Sequence, residues 1–240
     1  MNVVLITGAT RGIGAAIAHA FDTPETQLIL TGTNDSDLAR LDATSAPNRQ
    51  YVCADFSNSD SLNKFIEFIG NLDRLDVCVN NAGINIIKPI EAVTEQDFDR
   101  LNAINFKAPY RISQTSAAVM RKRRQGRIVN IASIWSTITK TGRSLYSGAK
   151  TGLVGMTRSL AVELAPDNVL VNCVSPGFTL TDMTRQSLSE GEIAAISSRI
   201  PQARMADPDE IARVVRFLGS RENTYLTGQN LVVDGGFSIV

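Results

Sequence analysis

The sequence predicts a doubly wound α/β fold, a parallel sheet with helices on both faces in three layers. Three observations carry this. Short apolar, β-branched runs alternate with helical patterns along the whole chain, as in a parallel sheet joined by crossover helices. The first run leads into a glycine-rich turn and then a helix. Polar residues recur just after the runs, at the carboxyl ends of the strands, where such sheets bind ligands. No repeat, low-complexity stretch or linker divides the 240 residues, so 1–240 reads as a single domain.

Composition excludes several classes of function. Apolar residues make up 43% and charged residues 20%, which suits a globular chain with a sizeable core. Lys plus Arg equals Asp plus Glu at 24 each, so no net charge draws the chain to nucleic acid or to an anionic membrane. No apolar run reaches membrane-spanning length. The first residues enter a strand directly and show no signal-peptide pattern. Cys53, Cys78 and Cys173 stand singly in apolar runs and read as buried thiols in a reducing compartment. These features predict a cytoplasmic protein. The single histidine, His19, points away from the apolar face formed by Ile13, Ala16, Ile17, Ala20 and Phe21. One histidine excludes a multi-histidine metal centre, and no metal is expected. A Ser-His-Asp hydrolase is disfavoured too, since no Gly-x-Ser-x-Gly occurs.

Val3 to Thr7 is the first strand. It is followed by Gly8-Ala-Thr10-Arg11-Gly12-Ile13-Gly14 and a helix. The glycines let the backbone approach a pyrophosphate, and the helix start presents free amides to it. The Gly-Lys-Ser/Thr ending of a nucleoside triphosphate loop is absent. Leu28 to Thr31 is the second strand and ends at Gly32-Thr33-Asn34. A dinucleotide-binding unit places an acid here for a ribose hydroxyl, or a basic residue for a 2′-phosphate. No acid stands at Gly32 or Thr33, and Arg11 is within reach of the same phosphate, so NADP(H) is favoured over NAD(H). Tyr51 to Ala54 is the third strand, followed by Asp55-Phe56-Ser57. Asp55 suits either an adenine amino group or the opening of a turn.

An amphipathic helix follows from Ser59 to Ile69, with Leu62, Phe65, Ile66 and Ile69 inward. Asp76 to Val79 is the fourth strand and ends in Asn80-Asn81-Ala82-Gly83. A helical region opens at Thr94 with Glu95, Asp97 and Asp99, holds Asn105 among apolar residues, and closes in a basic run ending at Arg124 and Gly126. Arg127 to Ala132 is the fifth strand and meets Ser133. The helix after it carries Tyr146 and Lys150, four residues apart and therefore on one face. A phenol titrates near 10, and a neighbouring ammonium favours the phenolate, so the pair suits proton exchange with a carbonyl/alcohol couple. Asn168 to Val174 is the sixth strand, leading into Pro176 and Gly177. Residues 178–205 show weak periodicity and read as a mobile cover over a site. A helix from Pro208 to about Leu218 and a strand from Gln229 to Asp234 complete the chain.

Taken together these residues resemble the short-chain dehydrogenase/reductase family, in order and in spacing, over essentially the whole chain. The resemblance implies a Rossmann fold and a nicotinamide cofactor. It implies that Tyr146 is the proton donor or acceptor and that Ser133 hydrogen-bonds the substrate oxygen. Lys150 would lower the Tyr146 pKa and bind the nicotinamide ribose, and Asn105 would hold a water of a proton relay. Cofactor contacts would come from Gly8, Thr10, Arg11, Gly12, Ile13 and Gly14, then Thr33, Asp55 and Phe56, then Asn81, Ala82 and Gly83. Tyr146 and Lys150 would add to them, with Pro176, Gly177, Thr179 and, at the carboxamide, Thr181.

The tail from Tyr225 to Gly236 and the stretch from Phe178 to Met183 are similar to the bacterial 3-oxoacyl-[acyl-carrier-protein] reductases. Those proteins dock an acidic carrier on two basic positions. Arg124 matches one, and Asp167 occupies the other, which opposes carrier docking. Ile87-Lys-Pro-Ile-Glu91 is more similar to alcohol- and sugar-directed members. The expected function is hydride transfer between NADP(H) and a 3-oxoacyl thioester, or else a sugar, polyol or other small ketone. A non-catalytic nucleotide-binding protein on the same fold has no need of Ser133, Tyr146, Lys150 and Asn105 together. The family also implies a homotetramer built on the long helices before Arg121 and after Tyr146. The second of these is rich in glycine and alanine and apolar over more than one stripe.

Overall fold

A parallel strand covered on both faces is apolar at nearly every position instead of alternating. The computed structural model, which describes residues 1–44 and 46–240, shows the consequence. Its strands are β1 (Asn2–Ile6), β2 (Thr26–Gly32), β3 (Arg49–Cys53), β4 (Val77–Asn80), β5 (Gly126–Ile131), β6 (Val169–Pro176) and β7 (Asn230–Val233). β4, β5 and β6 are buried at every position. Between the strands run α1 (Gly12–Phe21), α2 (Asp35–Thr44), α3 (Ser59–Gly70), α4 (Glu95–Asn102), α5 (Ala108–Arg121), α6 (Ser144–Leu164), α7 (Asp182–Ser187), α8 (Glu190–Ser197) and α9 (Pro208–Gly219).

The strands form one parallel sheet in the order β3-β2-β1-β4-β5-β6-β7. The chain starts in the middle, winds outward to β3, returns beside β1 at β4, and winds outward again to β7. The reversal between β1 and β4 opens a crevice at their carboxyl ends. Successive residues of β1 serve opposite cores. Val3 and Leu5 pack with Phe65, Ile112 and Ile128 on one face, and Val4 and Ile6 pack with Ile17, Ile211 and Val215 on the other. The doubly wound, three-layer expectation therefore holds, with strand ends within about two residues of those expected.

Three local departures have physical causes. The sequence reading has no helix between Asn34 and Tyr51, yet α2 forms there. Of its apolar residues Leu38 is buried, and the Asn34 side chain caps it by accepting from the Ser36 and Asp37 amides at 3.0 and 3.3 Å. Cys53, expected in the core, is exposed, because β3 is the edge strand and Cys53 its last residue; Cys78 and Cys173 are buried as expected. The helical region around Asn105 is not one regular helix. A π turn over Ala103–Lys107 joins α4 to α5, with the Ala108 amide bonded to the Ala103 carbonyl five residues back. Pro109 explains the break: it has no N–H to give the Asn105 carbonyl four residues earlier.

Candidate active site

The glycine loop is held by side chains from β1 and β4. Thr7 is buried, and its Oγ1 accepts from the Asn81 and Ala82 amides, both at 3.0 Å. Asn81 Nδ2 donates to the carbonyls of Thr7 and Gly8, both at 2.9 Å. Gly8 lies at φ +64°, and a Cβ on it would stand 2.9 Å from Ala82 Cα. At Gly14 the demand is steric: a Cβ would lie 2.1 Å from the Gly8 carbonyl oxygen. Asn81, Ala82, Gly8 and Gly14 therefore form one packed unit at the β1/β4 crevice. Thr31, whose hydroxyl accepts from the Gly8 amide at 3.0 Å, serves this unit without having stood out in sequence.

This unit leads into α1, which begins with no acidic residue in its first turn and no side chain capping its amides. The first amides of a helix have no partner within it. With the positive end of the helix dipole they make an anion cradle that the protein itself leaves unfilled, so the residues fit a dinucleotide phosphate. Arg11 is exposed at the N-cap. Thr10 Cγ2 comes within 2.7 Å of where a Gly32 Cβ would stand, which brings the loop against the end of β2 beside exposed Thr33. Ile13 packs into the core shared with α9. Asp55 opens a turn, its Oδ1 accepting from the Ser57 amide at 2.9 Å and the Ser57 hydroxyl at 2.7 Å. Phe56 is buried against Phe65. From the far side of the crevice, the Thr181 methyl reaches 3.4 Å from a Cβ built on Gly12. Thr181 caps α7, Thr179 is buried with its hydroxyl on the Gly177 carbonyl at 3.2 Å, and Pro176 ends β6 in register with Val233. The cover expected at 178–205 holds α7 and α8.

The second cluster lies at the ends of β4, β5 and the start of α6. Lys150 is buried and donates to the Ile131 carbonyl at 2.7 Å. Burial lowers its ammonium to about 8. The ammonium lies over the Tyr146 ring, 5.7 Å from the centroid. A Cβ built on Gly83 would be 3.6 Å from Lys150 Nζ and 3.4 Å from Asn105 Oδ1, which places all three together. Asn105 is fully buried and clamps Ile84, accepting from its amide at 2.9 Å and donating to its carbonyl at 2.8 Å. Burial pushes the Tyr146 phenol above its ordinary value, while a hydrogen bond with Ser133 and the Arg143 charge pull it down. The Lys150 ammonium faces the ring, and in this structure the downward pull on the phenol comes from Ser133 and Arg143.

A buried polar chain underlies this cluster. Asn80 Nδ2 donates to Ser113 at 2.9 Å and to Asn130 Oδ1 at 2.7 Å, and Asn130 Nδ2 donates to Thr157 at 2.8 Å. It ties β4, β5, α5 and α6 together. Sequence reasoning had no signal for it beyond Asn80, because its members meet only across strands. Trp135 and Arg143 were missed as well, although each stands two or three residues from Ser133 or Tyr146.

The fold and this pair of clusters define a dinucleotide-dependent enzyme class, and known proteins agree. A family model described as enoyl-(acyl carrier protein) reductase matches residues 8–238. The 3-oxoacyl-[acyl-carrier-protein] reductase FabG of Aquifex aeolicus is 41% identical over 98% of this chain and 96% of its own. A solved short-chain dehydrogenase/reductase family protein superposes with a TM-score of 0.90 at 30% identity, over 99% of this chain and 98% of its own. A Beutenbergia cavernae protein described as an NAD(P)-dependent gluconate 5-dehydrogenase, solved with NADP at low occupancy, gives 0.90 at 32% identity over 98% and 96%. The chain belongs to the short-chain dehydrogenase/reductase family. It is a nicotinamide-dependent oxidoreductase of that family. Among the described residues, no helix is long and apolar enough to cross a membrane.

Proposed function

We propose that the chain moves hydride reversibly between NADP(H), in preference to NAD(H), and a carbonyl/secondary-alcohol pair. The observation that carries this is the meeting of Ser133, Tyr146, Lys150 and Asn105 beside the glycine loop. In reduction Tyr146 gives its hydroxyl proton to the substrate oxygen, and in oxidation it takes that proton back. Ser133 holds the substrate oxygen against the phenol. Lys150 supplies buried positive charge and a donor for a ribose. Asn105, through Ile84, fixes the loop after Gly83. When bound, the nicotinamide supplies or accepts the hydride. The anion cradle at α1 would hold the phosphates of the cofactor, the residues from Pro176 to Thr181 would hold its nicotinamide end, and the segment 178–205 would cover it. A panel of ketones and alcohols followed by cofactor absorbance tests the reading. Reduction of no carbonyl with either NADPH or NADH would overturn it.

Arg11 is the residue on which the cofactor preference rests. Arg11→Ala is expected to weaken NADPH more than NADH, since only NADPH carries the 2′-phosphate. A charge-assisted contact contributes roughly 1.5–3 kcal/mol, or about 10- to 150-fold in affinity. Equal losses for both cofactors in a titration would contradict it.

For the substrate, relatives named as 3-oxoacyl-[acyl-carrier-protein] reductases support a 3-oxoacyl thioester. A second reading, a sugar, polyol or other small ketone, is favoured by one ion-pair cluster. Asp167 accepts from Arg121 Nε at 2.7 Å and lies 3.7 Å from Arg124, whose other nitrogen donates to the Pro166 carbonyl. The cations that would meet an acidic carrier are thus partly neutralised by the protein itself. The cytoplasm is the proposed location.

We also propose a homotetramer. On α6, Gly148 and Gly155 face open space and Val162 is 78% exposed, while the opposite face of the helix is buried. Light scattering should give about four times 25.9 kDa. Gly155→Arg should split the assembly, and a monomer at micromolar concentration would refute it.

A further inference from the structure

Trp135 and Arg143 adjoin Ser133 and Tyr146, and apart from the pull of the Arg143 charge on the Tyr146 phenol neither has a part in the chemistry above. Arg143 is the N-cap of α6, three residues before Tyr146, and is 8% exposed. Its Nε and one terminal nitrogen are buried without a hydrogen-bond partner. Its guanidinium lies 5.1 Å from the centre of the Trp135 ring, and its charge is felt at the Tyr146 hydroxyl. The Trp135 amide donates to Ser133 Oγ at 3.3 Å. The same guanidinium therefore borders the proton donor and the tryptophan that follows Ser133. Trp135 also meets Phe178 in an edge-to-face contact, with ring centres 6.2 Å apart.

Three terms disfavour a cation at this place. Its burial removes water from a charge. Two donors have no acceptor among the described residues. It also sits at the positive end of a 21-residue helix whose first turn holds no acidic residue. An anion arriving from outside would offset all three. Its place over the Trp135 ring satisfies none of its N–H groups. A planar guanidinium with no counter-ion among the described residues suits a carboxylate.

We propose that Arg143 is a specificity residue that binds a carboxylate of the substrate, so that the enzyme acts on oxo acids and the corresponding hydroxy acids. This rests on the oxidoreductase reading and selects within it. The carboxylate would lie against Arg143 while the carbonyl oxygen lies between Ser133 and Tyr146.

The test compares a short oxo acid with its methyl ester, which keeps the ketone and removes the charge. The wild type should prefer the acid in kcat/KM by about 10- to 150-fold, the range of a charge-assisted contact. Arg143→Gln should collapse that ratio toward one, and Arg143→Lys should restore part of it. A second readout needs no turnover. Trp135 is the single tryptophan of the chain, so its fluorescence reports on the guanidinium stacked over it. With the enzyme saturated in NADP+, the oxo acid should change that fluorescence saturably, and the ester should not at equal concentration. R143Q should abolish the response. Equal efficiency on acid and ester, with R143Q leaving the ratio unchanged, would overturn the proposal while Tyr146-dependent ketone reduction still upheld the oxidoreductase reading. If neither compound is reduced, that reading is at stake, and the fluorescence titration decides the anchor independently. An R143Q protein that changes oligomeric mass and retains the acid/ester ratio would also overturn it, by assigning the guanidinium to another copy of the chain.

Discussion

Tyr146→Phe is expected to lower turnover by a factor on the order of 10² or more, the ordinary worth of a positioned acid/base. The ring stays, so its place under Lys150 and beside Arg143 is kept, and cofactor affinity should hardly move. The wild-type pH profile should show which proton is lost. Burial raises the phenol, and Ser133 and Arg143 only partly offset this. Reduction needs the protonated phenol and should persist to alkaline pH. Oxidation needs the phenolate and should climb as pH rises through the same titration. Steady-state kinetics in both directions across pH checks this. A Tyr146→Phe protein with most of its activity would remove Tyr146 from the mechanism.

Lys150→Met should separate activity from stability. Turnover should again fall by an order of 10² or more, because the buried charge and the ribose donor both go. Folding stability without cofactor should stay level or rise. The native ammonium titrates near 8 against an ordinary value of 10.5. Between these values the unfolded chain binds more protons than the native one, so this group makes stability increase with pH from about 8 to about 10.5. Below pH 8 the full penalty of a buried charge applies, on the order of 3 kcal/mol at 1.36 kcal/mol per unit. Methionine removes that penalty and also the bond to the Ile131 carbonyl, which limits the gain. Urea unfolding of the wild type and Lys150→Met at pH 7 and pH 10 measures this. A loss of several kcal/mol with activity intact would reverse the assignment and make Lys150 a structural residue.

Much of this architecture was legible in the chain. The inner strands are apolar on both faces, and that pattern depends only on local sequence, so β1, β4, β5 and β6 appear with ends near those expected. α2 escaped notice because its window is rich in Asp and only Leu38 and Leu41 give it an apolar side. The π turn at Asn105 was written in Pro109, whose missing N–H had to be read against a carbonyl four residues earlier.

By itself the sequence determined the sheet, the glycine cradle after β1, the arrival of Asn81, Ser133 and Pro176 at strand ends and the Tyr146–Lys150 pair on one helix face, because spacing and periodicity are properties of adjacent residues. Only the tertiary structure decided which charges are free. Arg124 and Asp167 are 43 positions apart, yet they share one ion-pair cluster with Arg121. Arg143 has no such partner among the described residues and is buried beside the proton donor. In sequence the two arginines look alike. The difference between them is desolvation and the distance to an acceptor, and these exist only once residues remote in the chain have packed together.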